Sequence, residues 1–250
     1  MLIDSLKNKQ KILKSFLEIA AVSGWNEKSL QQSMREVKID EKYLPLIFPN
    51  TIIDITDFYI KNGNKILADK IFSFQDFEQQ KIRDKIRFCL YERFEIEIDN
   101  KKALQSLAKL YLDPKNIIFF SRSSNTVIQP LKISLNISDT MWSLLKDKST
   151  DFNYYTKRLV LSKIILRIFP VFLNDDDIEL RKTKKLIDAE IEKVMKFEKL
   201  KYKTKNIITD VTASVQDFVL NEEGEIKDPG QIIKNLPKNL PFVRLFKDRF

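Results

Sequence analysis

Residues 151–173 read DFNYYTKRLVLSKIILRIFPVFL, and apolar side chains occur on every side of the helix that this segment predicts. A helix that is apolar around its whole circumference is typically buried at the centre of a helical protein. Its apolar run, Leu159 to Leu173, is interrupted by Ser162, Lys163 and Arg167 and falls short of the ~20 residues that a membrane span needs. We therefore predict a buried central helix.

The composition around this segment favours an all-α fold. The 250 residues include 4 glycines and 8 prolines, where average usage predicts roughly 30 of these two turn-forming residues. Periodicity predicts helices over residues 2–22, 27–37, 52–72, 75–98, 102–112, 137–146, 151–173 and 175–202. Residues 40–48 form a short element that holds Pro45, and residues 116–135 are ambiguous because Pro130 and the polar run SRSSN interrupt them.

Several classes of catalytic site are excluded by residues that the sequence lacks. It contains no histidine, which excludes histidine-based catalytic triads and histidine-ligated metals. The single cysteine, Cys89, permits no disulfide within the chain and no cysteine zinc cluster. The four glycines are too scattered for a phosphate-binding loop. We predict no catalytic residue, no metal and no cofactor.

The charge balance has two interpretations. The chain has 44 Lys and Arg against 35 Asp and Glu, a net charge of +9. A basic protein is attracted to the phosphates of nucleic acids or of anionic lipids. The richness in Lys, Ile and Asn is equally typical of the bias that an AT-rich genome imposes. The N-terminal residues show no secretory pattern, so we expect a cytoplasmic protein.

Residues 203–250 read as a tail or linker, since glycine and proline concentrate there. The tail ends in LPFVRLFKDRF, where basic residues alternate with Phe242, Leu245 and Phe246. Such a segment suits an anionic bilayer surface, and we predict that these three side chains contact a membrane. The alternative is that the tail packs on the body or stays disordered.

The first 50 residues resemble the helix-turn-helix head of TetR-type DNA-binding regulators, whose bodies are also all-helical. Residues 40–48 would then be the recognition helix. Two features argue against nucleic acid as a partner. Pro45 falls inside that helix, at a cost of ~3 kcal/mol, and Asp40 and Glu41 would face phosphates of the same sign.

A more specific signal is the segment 139–158, which reads DTMWSLLKDKSTDFNYYTKR. It is similar to the signature of the coenzyme Q biosynthesis protein nine family. The matching residues are Asp139, Trp142, Asp147, Ser149, Thr150, Asp151, Phe152, Asn153, Tyr155, Thr156, Lys157 and Arg158. The family usually has a glycine immediately before this Asp147, where the present chain has Lys146. Weaker similarity extends over roughly residues 5–198.

The resemblance implies a TetR-like, non-enzymatic, lipid-binding protein of ubiquinone synthesis. Residues 1–202 would form one helical domain, with residues 1–50 as its head. The implied partners are an isoprenoid quinone lipid, a membrane-bound di-iron hydroxylase acting on demethoxyubiquinone, and the anionic inner face of the cytoplasmic membrane. A homodimer follows only by analogy with TetR-type bodies. A DNA-binding regulator and a pure interaction protein without lipid are the alternatives.

The resemblance directs attention to a partner-binding surface formed by Asp139, Trp142, Asp151, Tyr155, Lys157 and Arg158. An aromatic side chain beside charged groups is typical of a protein-binding hot spot. Trp142 is equally consistent with a core residue. Ser149 and Thr150 also suit simple helix capping.

The apolar residues likewise have two interpretations. They fill a core, or they line a cavity for an isoprenoid tail between residues 75–98, 117–133 and 159–173. With the resemblance in mind, we predict that Phe94, Leu159, Ile164 and Ile168 bind lipid.

Overall fold

The computed structural model describes residues 4–112 and 129–203, apart from the side chains of 112, 151–152 and 197–203. Every regular element within these ranges is helical, which confirms the all-α prediction. The helices are α1 (Leu6–Ser23), α2 (Glu27–Glu36), α3 (Leu44–Ile47), α4 (Ile52–Ser73), α5 (Ile82–Glu95), α6 (Lys101–Leu112), α7 (Gln129–Leu144), α8 (Asp151–Leu173) and α9 (Arg181–Lys203). Short 3-10 turns occupy Glu41–Tyr43, Phe77–Gln79 and Ile98–Asn100.

The break between α1 and α2 is formed by a glycine that ends the first helix and an asparagine that caps the second. Gly24 has a φ of 92°, a left-handed conformation that glycine adopts without strain, and it ends α1. Asn26 then caps α2, because its Oδ1 accepts a hydrogen bond from the backbone N–H of Ser29 at 3.0 Å. The ring of Trp25 packs edge-on against Phe16 of α1 and anchors this corner in the core.

The third element of the head differs from the predicted recognition helix. A 3-10 turn leads into α3, which has only four residues, and Pro45 lies in its first turn. Proline is tolerated there because the first backbone N–H groups of a helix have no intrahelical partner. The predicted penalty for Pro45 is therefore wrong, and the element is short because Phe48 and Pro49 follow it.

The long helix predicted over residues 75–98 is also wrong. The segment folds as the 3-10 turn Phe77–Gln79, the helix α5 and the 3-10 turn Ile98–Asn100. Phe77 is buried and packs against Phe88 of α5, with 5.8 Å between ring centroids. This contact holds the 3-10 turn Phe77–Gln79 against α5, which periodicity alone did not predict.

The starts of α7 and α9 differ from the predicted ones. Pro130 occupies the first turn of α7, which runs without a break to Leu144, so the predicted start at residue 137 is wrong. The predicted helix 175–202 begins only at Arg181. The buried carboxylate of Asp175 organises the preceding loop, since it accepts hydrogen bonds from the backbone N–H and Oγ1 of Thr183 at 2.8 and 2.7 Å.

Helix α8 has the predicted bounds and the predicted central place. It packs against α6, α7 and α9. Its fully or almost fully buried apolar residues are Leu161, Ile164, Ile165, Ile168, Phe172 and Leu173. In the part of the chain that the structure describes, no helix is both long and apolar enough to cross a bilayer.

The turn from α7 to α8 begins with a strained residue. The N–H of Asp147 donates to the carbonyl of Trp142, and the N–H of Lys146 donates to the carbonyl of Ser143. These two bonds form a Schellman motif, in which the penultimate residue is left-handed. That residue is Lys146, with a φ of 55°. The geometry explains why the family's glycine suits this position.

We predict that Lys146→Gly stabilises the protein by about 1 kcal/mol, because glycine removes the left-handed strain. The lost ion pair between Lys146 and Glu78 joins two exposed side chains and contributes little. The measurement is urea unfolding. Lys146→Ala is the matched control, since it loses the same ion pair and keeps most of the strain. Equal stability of the glycine and alanine variants would contradict the prediction.

Candidate functional site

The signature segment forms a charged network centred on Arg158. Its side chain is only 9% exposed, and its Nε lies 2.5 Å from Oδ1 of Asp139 on α7. Its second contact is to Oδ2 of Asp147, in the turn, at 3.5 Å from NH1. The guanidinium stacks on the ring of Tyr154, 3.4 Å from the centroid. One buried cation thus joins both helices and the turn between them.

Asp147 is the second centre of this network. Its Oδ1 accepts a hydrogen bond from Nζ of Lys157 at 2.7 Å, and its Oδ2 accepts one from Oγ of Ser149. Burial alone would raise the pKa of Asp147, but the bonds from Lys157 and Ser149 outweigh it and hold the pKa below the ordinary value of 3.8. Asp147 is therefore a carboxylate in the folded protein.

Trp142 belongs to the core. It is 8% exposed, and its indole Nε1 donates to the carbonyl of Lys157 at 3.2 Å. The ammonium of Lys157 lies 5.1 Å from the centre of the ring, where it covers the indole and makes a cation–π contact. The interpretation of Trp142 as a core residue is confirmed, and its part in partner binding stays a prediction.

Small polar residues complete the seam between α7 and α8. Ser138 donates to the carbonyl of Arg158 at 2.8 Å, and the hydroxyls of Ser134 and Ser162 lie 2.6 Å apart. All three serines are buried. Their small side chains let the two helices approach closely, and their hydroxyls are satisfied within the seam.

Comparison with known proteins finds a family match that includes α7 and α8. The family model named COQ9 matches residues 127–198. The resemblance to this family is confirmed. The match covers α7, α8 and most of α9. A curated relative, the "Probable ubiquinone biosynthesis protein coq9, mitochondrial" of Dictyostelium discoideum, is 22% identical over 198 residues, which is 77% of this chain. The chain spans 61% of that relative's length.

The residues predicted to bind a partner lie together in the COQ9 segment, with different exposure. Asp139 and Lys157 reach solvent, with side chains 51% and 39% exposed. Tyr155 is half-buried and lies edge-on against Tyr154, with 5.1 Å between ring centroids. Arg158 and Trp142 are buried. The side chain of Asp151 lies outside the described residues.

The residues predicted to bind lipid lie in a packed interior. Phe94, Ile164 and Ile168 are 5%, 6% and 0% exposed, and Leu159 is half-buried. The ring of Phe94 contacts that of Phe172, with 5.2 Å between centroids. Two depressions beside α1 are open to solvent and contain none of these residues. Lipid binding by these residues stays a prediction.

Other parts of the predicted site are not described. The predicted cavity wall at residues 117–128 and the membrane-contact residues Phe242, Leu245 and Phe246 lie outside the described residues. Within the described ranges, no group of three or more Cys, Asp or Glu is arranged to hold a metal ion.

Sequence reasoning missed the role of Tyr154. Its ring supports the Arg158 guanidinium, and its hydroxyl donates to Oδ1 of Asp139 at 3.2 Å. An aromatic residue four positions before an arginine in a helix lies on the same face, so the spacing was available as a signal. Asp147 was noted only as part of the match, because its two cation contacts depend on the α7–α8 turn.

We call the network of Asp139, Asp147, Lys157 and Arg158 the clasp, because it holds α7, α8 and the turn between them together. Each carboxylate is bound by a cation, and each cation is held by a carboxylate, so neither Asp139 nor Asp147 is poised to abstract a proton. A satisfied network around a buried cation fixes the register of the helices that supply it.

We predict that Asp147→Asn destabilises the protein by about 2 kcal/mol, because it removes a carboxylate from two cations, one of them buried. Denaturant unfolding at neutral pH measures the loss. Asp176→Asn, at an exposed loop position, is the control and should be neutral.

The same variant has a predicted pH dependence. The pKa of Asp147 is lowered in the folded protein. Its contribution to the free energy of unfolding is therefore fully present above the pKa of the unfolded chain, near 3.8, and is lost as pH falls through the folded-state pKa. The stability gap between the wild type and Asp147→Asn should therefore narrow on acidification. A gap that widens would show that Asp147 is not held as a carboxylate.

Proposed function

We propose that the protein is a non-enzymatic accessory protein of ubiquinone biosynthesis, which binds polyprenylated quinone intermediates at a membrane and presents them to a membrane-bound di-iron hydroxylase. The observation that carries the proposal is the COQ9 match over residues 127–198, which contains the whole Arg158 network. The name of the Dictyostelium relative places that protein in the same biosynthesis.

The amino-acid composition supports an accessory role. Carboxylate di-iron sites in helical bundles combine glutamates with a Glu-x-x-His motif. The 250 residues contain no histidine, so they cannot supply that motif. In the proposed division of labour, a partner performs the hydroxylation, and this chain holds the apolar substrate in a reactive position.

Lipid binding is proposed along α8. Burying a prenyl chain removes apolar area from water, which contributes ~25 cal/mol per Å². Leu159 is a half-buried apolar residue of α8 near the Arg158 network. It is the predicted lipid contact that reaches the surface, and the prenyl chain would continue inward toward Ile164 and Ile168 as their packing opens.

We predict that the purified protein, made in cells with an intact quinone pathway, carries prenylated quinones that solvent extraction and mass spectrometry detect. Leu159→Lys should reduce the amount carried by about tenfold, because a charge opposes an apolar chain. Leu46→Lys, at a 58% exposed position on α3, is the matched control and should leave the amount unchanged. Absence of quinone from the wild-type protein would contradict the proposal.

Partner binding is proposed for the exposed edge of the clasp, which consists of Asp139, Tyr155 and Lys157. Trp142 lies beneath this edge, and replacing it would disturb the core as well as the surface. Tyr155 offers a cleaner test, because it is half-buried and its ring packs on Tyr154 at the surface.

We predict that Tyr155→Ala weakens capture of the demethoxyubiquinone hydroxylase by at least tenfold, as expected for an aromatic hot spot. Co-purification from detergent extracts measures it. Tyr43→Ala is the control, since Tyr43 is a half-buried tyrosine of the head. If both variants retain capture, the edge of the clasp is not the contact.

The proposal also includes a peripheral position on the inner face of the cytoplasmic membrane, with Phe242, Leu245 and Phe246 as contacts to anionic lipid. These residues and the proposed homodimer remain predictions from the sequence. A liposome-binding comparison of the full chain with a Phe242, Leu245 and Phe246 triple alanine variant addresses the membrane contact directly.

Duplex DNA binding has weaker support from the head. Arg35 pairs with Glu41 at 2.6 Å, and Lys42 pairs with Asp40 at 3.0 Å. These cations are therefore neutralised beside α3, and the four-residue helix offers little length for a major groove.

A further inference from the structure

A second charged cluster, between α8 and α9, has more cations than carboxylates, whereas the clasp has equal numbers. Its only carboxylate among the described side chains is Glu190 of α9, which is 8% exposed. The Oε1 atom of Glu190 lies 3.2 Å from Nε of Arg167 on α8 and 2.6 Å from Nζ of Lys193. One carboxylate oxygen thus serves two cations.

A third cation lies in the same cluster. Lys163 precedes Arg167 by one helical turn, so the two side chains share a face of α8. Lys163 is half-buried and has no ion pair within the described ranges. Burial lowers the pKa of Lys163, and the charges of Arg167 and Lys193 lower it further, against the opposing effect of Glu190. The three cations are therefore close enough to repel one another.

Two other ion-pair networks of the described residues are balanced in charge. Arg158 lies between Asp139 and Asp147, and Arg87 contacts both Asp84 and Asp188. Lys157 also pairs with Asp147, and Arg83 with Asp84, so each of those networks has two cations and two carboxylates. In the α8–α9 cluster, three cations share one carboxylate, so an additional anion would lower the electrostatic energy.

Apolar residues lie near the cluster in the sequences of α8 and α9, while the side chains of Arg167 and Lys193 reach solvent. Three partly buried residues lie within about one turn of its members on the same two helices. They are Val160, Leu186 and Val194. An apolar chain attached to an anion at this cluster would meet these side chains on the same two helices.

We propose that Lys163, Arg167 and Lys193 form a binding site for a phosphate group. Arginine presents a planar fork that matches phosphate oxygens, and lysines add point charges. The proposal goes beyond quinone binding, because a quinone ring carries no phosphate. The phosphate is either free in solution or the headgroup of a lipid whose chain contacts the nearby apolar side chains.

Two probes distinguish these sources. Pyrophosphate titrated into the full chain by calorimetry tests the free group. Sedimentation with phosphatidylcholine vesicles, with and without phosphatidic acid, tests the lipid-borne group. Binding to both probes, or to either one alone, supports the site if the variants below respond as expected, and the pattern assigns the source. Binding of neither probe by the wild type overturns the proposal.

The variants separate a specific site from general attraction to a basic protein. Lys163→Gln with Arg167→Gln should weaken binding at least tenfold. The control, Arg181→Gln with Lys182→Gln, removes equal charge from an exposed part of α9 and should change binding less than twofold. Equal losses in the two double variants would overturn the site.

Two single variants guard against a folding artefact. Lys163→Gln leaves the contacts among Arg167, Glu190 and Lys193 intact and should still weaken binding about threefold. Glu190→Gln removes the competing carboxylate and should tighten binding severalfold. Unchanged or weaker binding by Glu190→Gln would contradict the proposal. A protein that binds phosphate but carries no quinone would refute the proposed function and leave this site standing.

Discussion

A guanidinium held in the interior must be compensated where it lies, and Arg158 imposes this requirement on the COQ9 segment. Removing a charged group from water costs several kcal/mol unless nearby groups of opposite charge satisfy it. Asp139 supplies one carboxylate from α7, and Asp147 supplies the other from the turn. The position of Asp147 depends in turn on the left-handed residue before it. The register of α7 on α8 therefore depends on one cation and on the turn that brings a carboxylate to it.

The parts of the fold that were predictable are those governed by local chemistry. Helix α8 has the predicted bounds because apolar residues occur on all of its sides over its whole length. Gly24 ends α1 through its left-handed backbone, and Asn26 begins α2 through its side-chain oxygen. The prediction was wrong where tertiary contacts decide. Phe77 folds against Phe88 and shortens α5. Pro130 looked like a break, yet it stands in a first turn where proline removes no helical hydrogen bond.

The candidate site was predictable as a set of residues but not as an arrangement. The signature brought Asp139, Trp142, Lys157 and Arg158 to attention together, and they do lie together. Their exposure was not predictable, because the burial of Trp142 depends on Lys157 lying across its ring from the neighbouring helix. Whether Lys157 reaches Trp142 depends on the length of the α7–α8 turn, and helical periodicity does not predict that length.

The packing of α8 also constrains how the protein would hold a lipid. Ile168 is fully buried, and Phe94 and Phe172 fill the space beside it, so a prenyl chain would have to separate these side chains or lie along the half-buried surface of the helix. A surface groove removes less apolar area from water than an enclosed tunnel, and the apolar contribution falls in proportion. Polar contacts would then have to supply the rest of the binding free energy. On α8 the cations of the clasp are already paired with carboxylates. Lys163 and Arg167, which lie on the α9 side, together with Lys193 outnumber Glu190 and are the cations proposed to bind an anion.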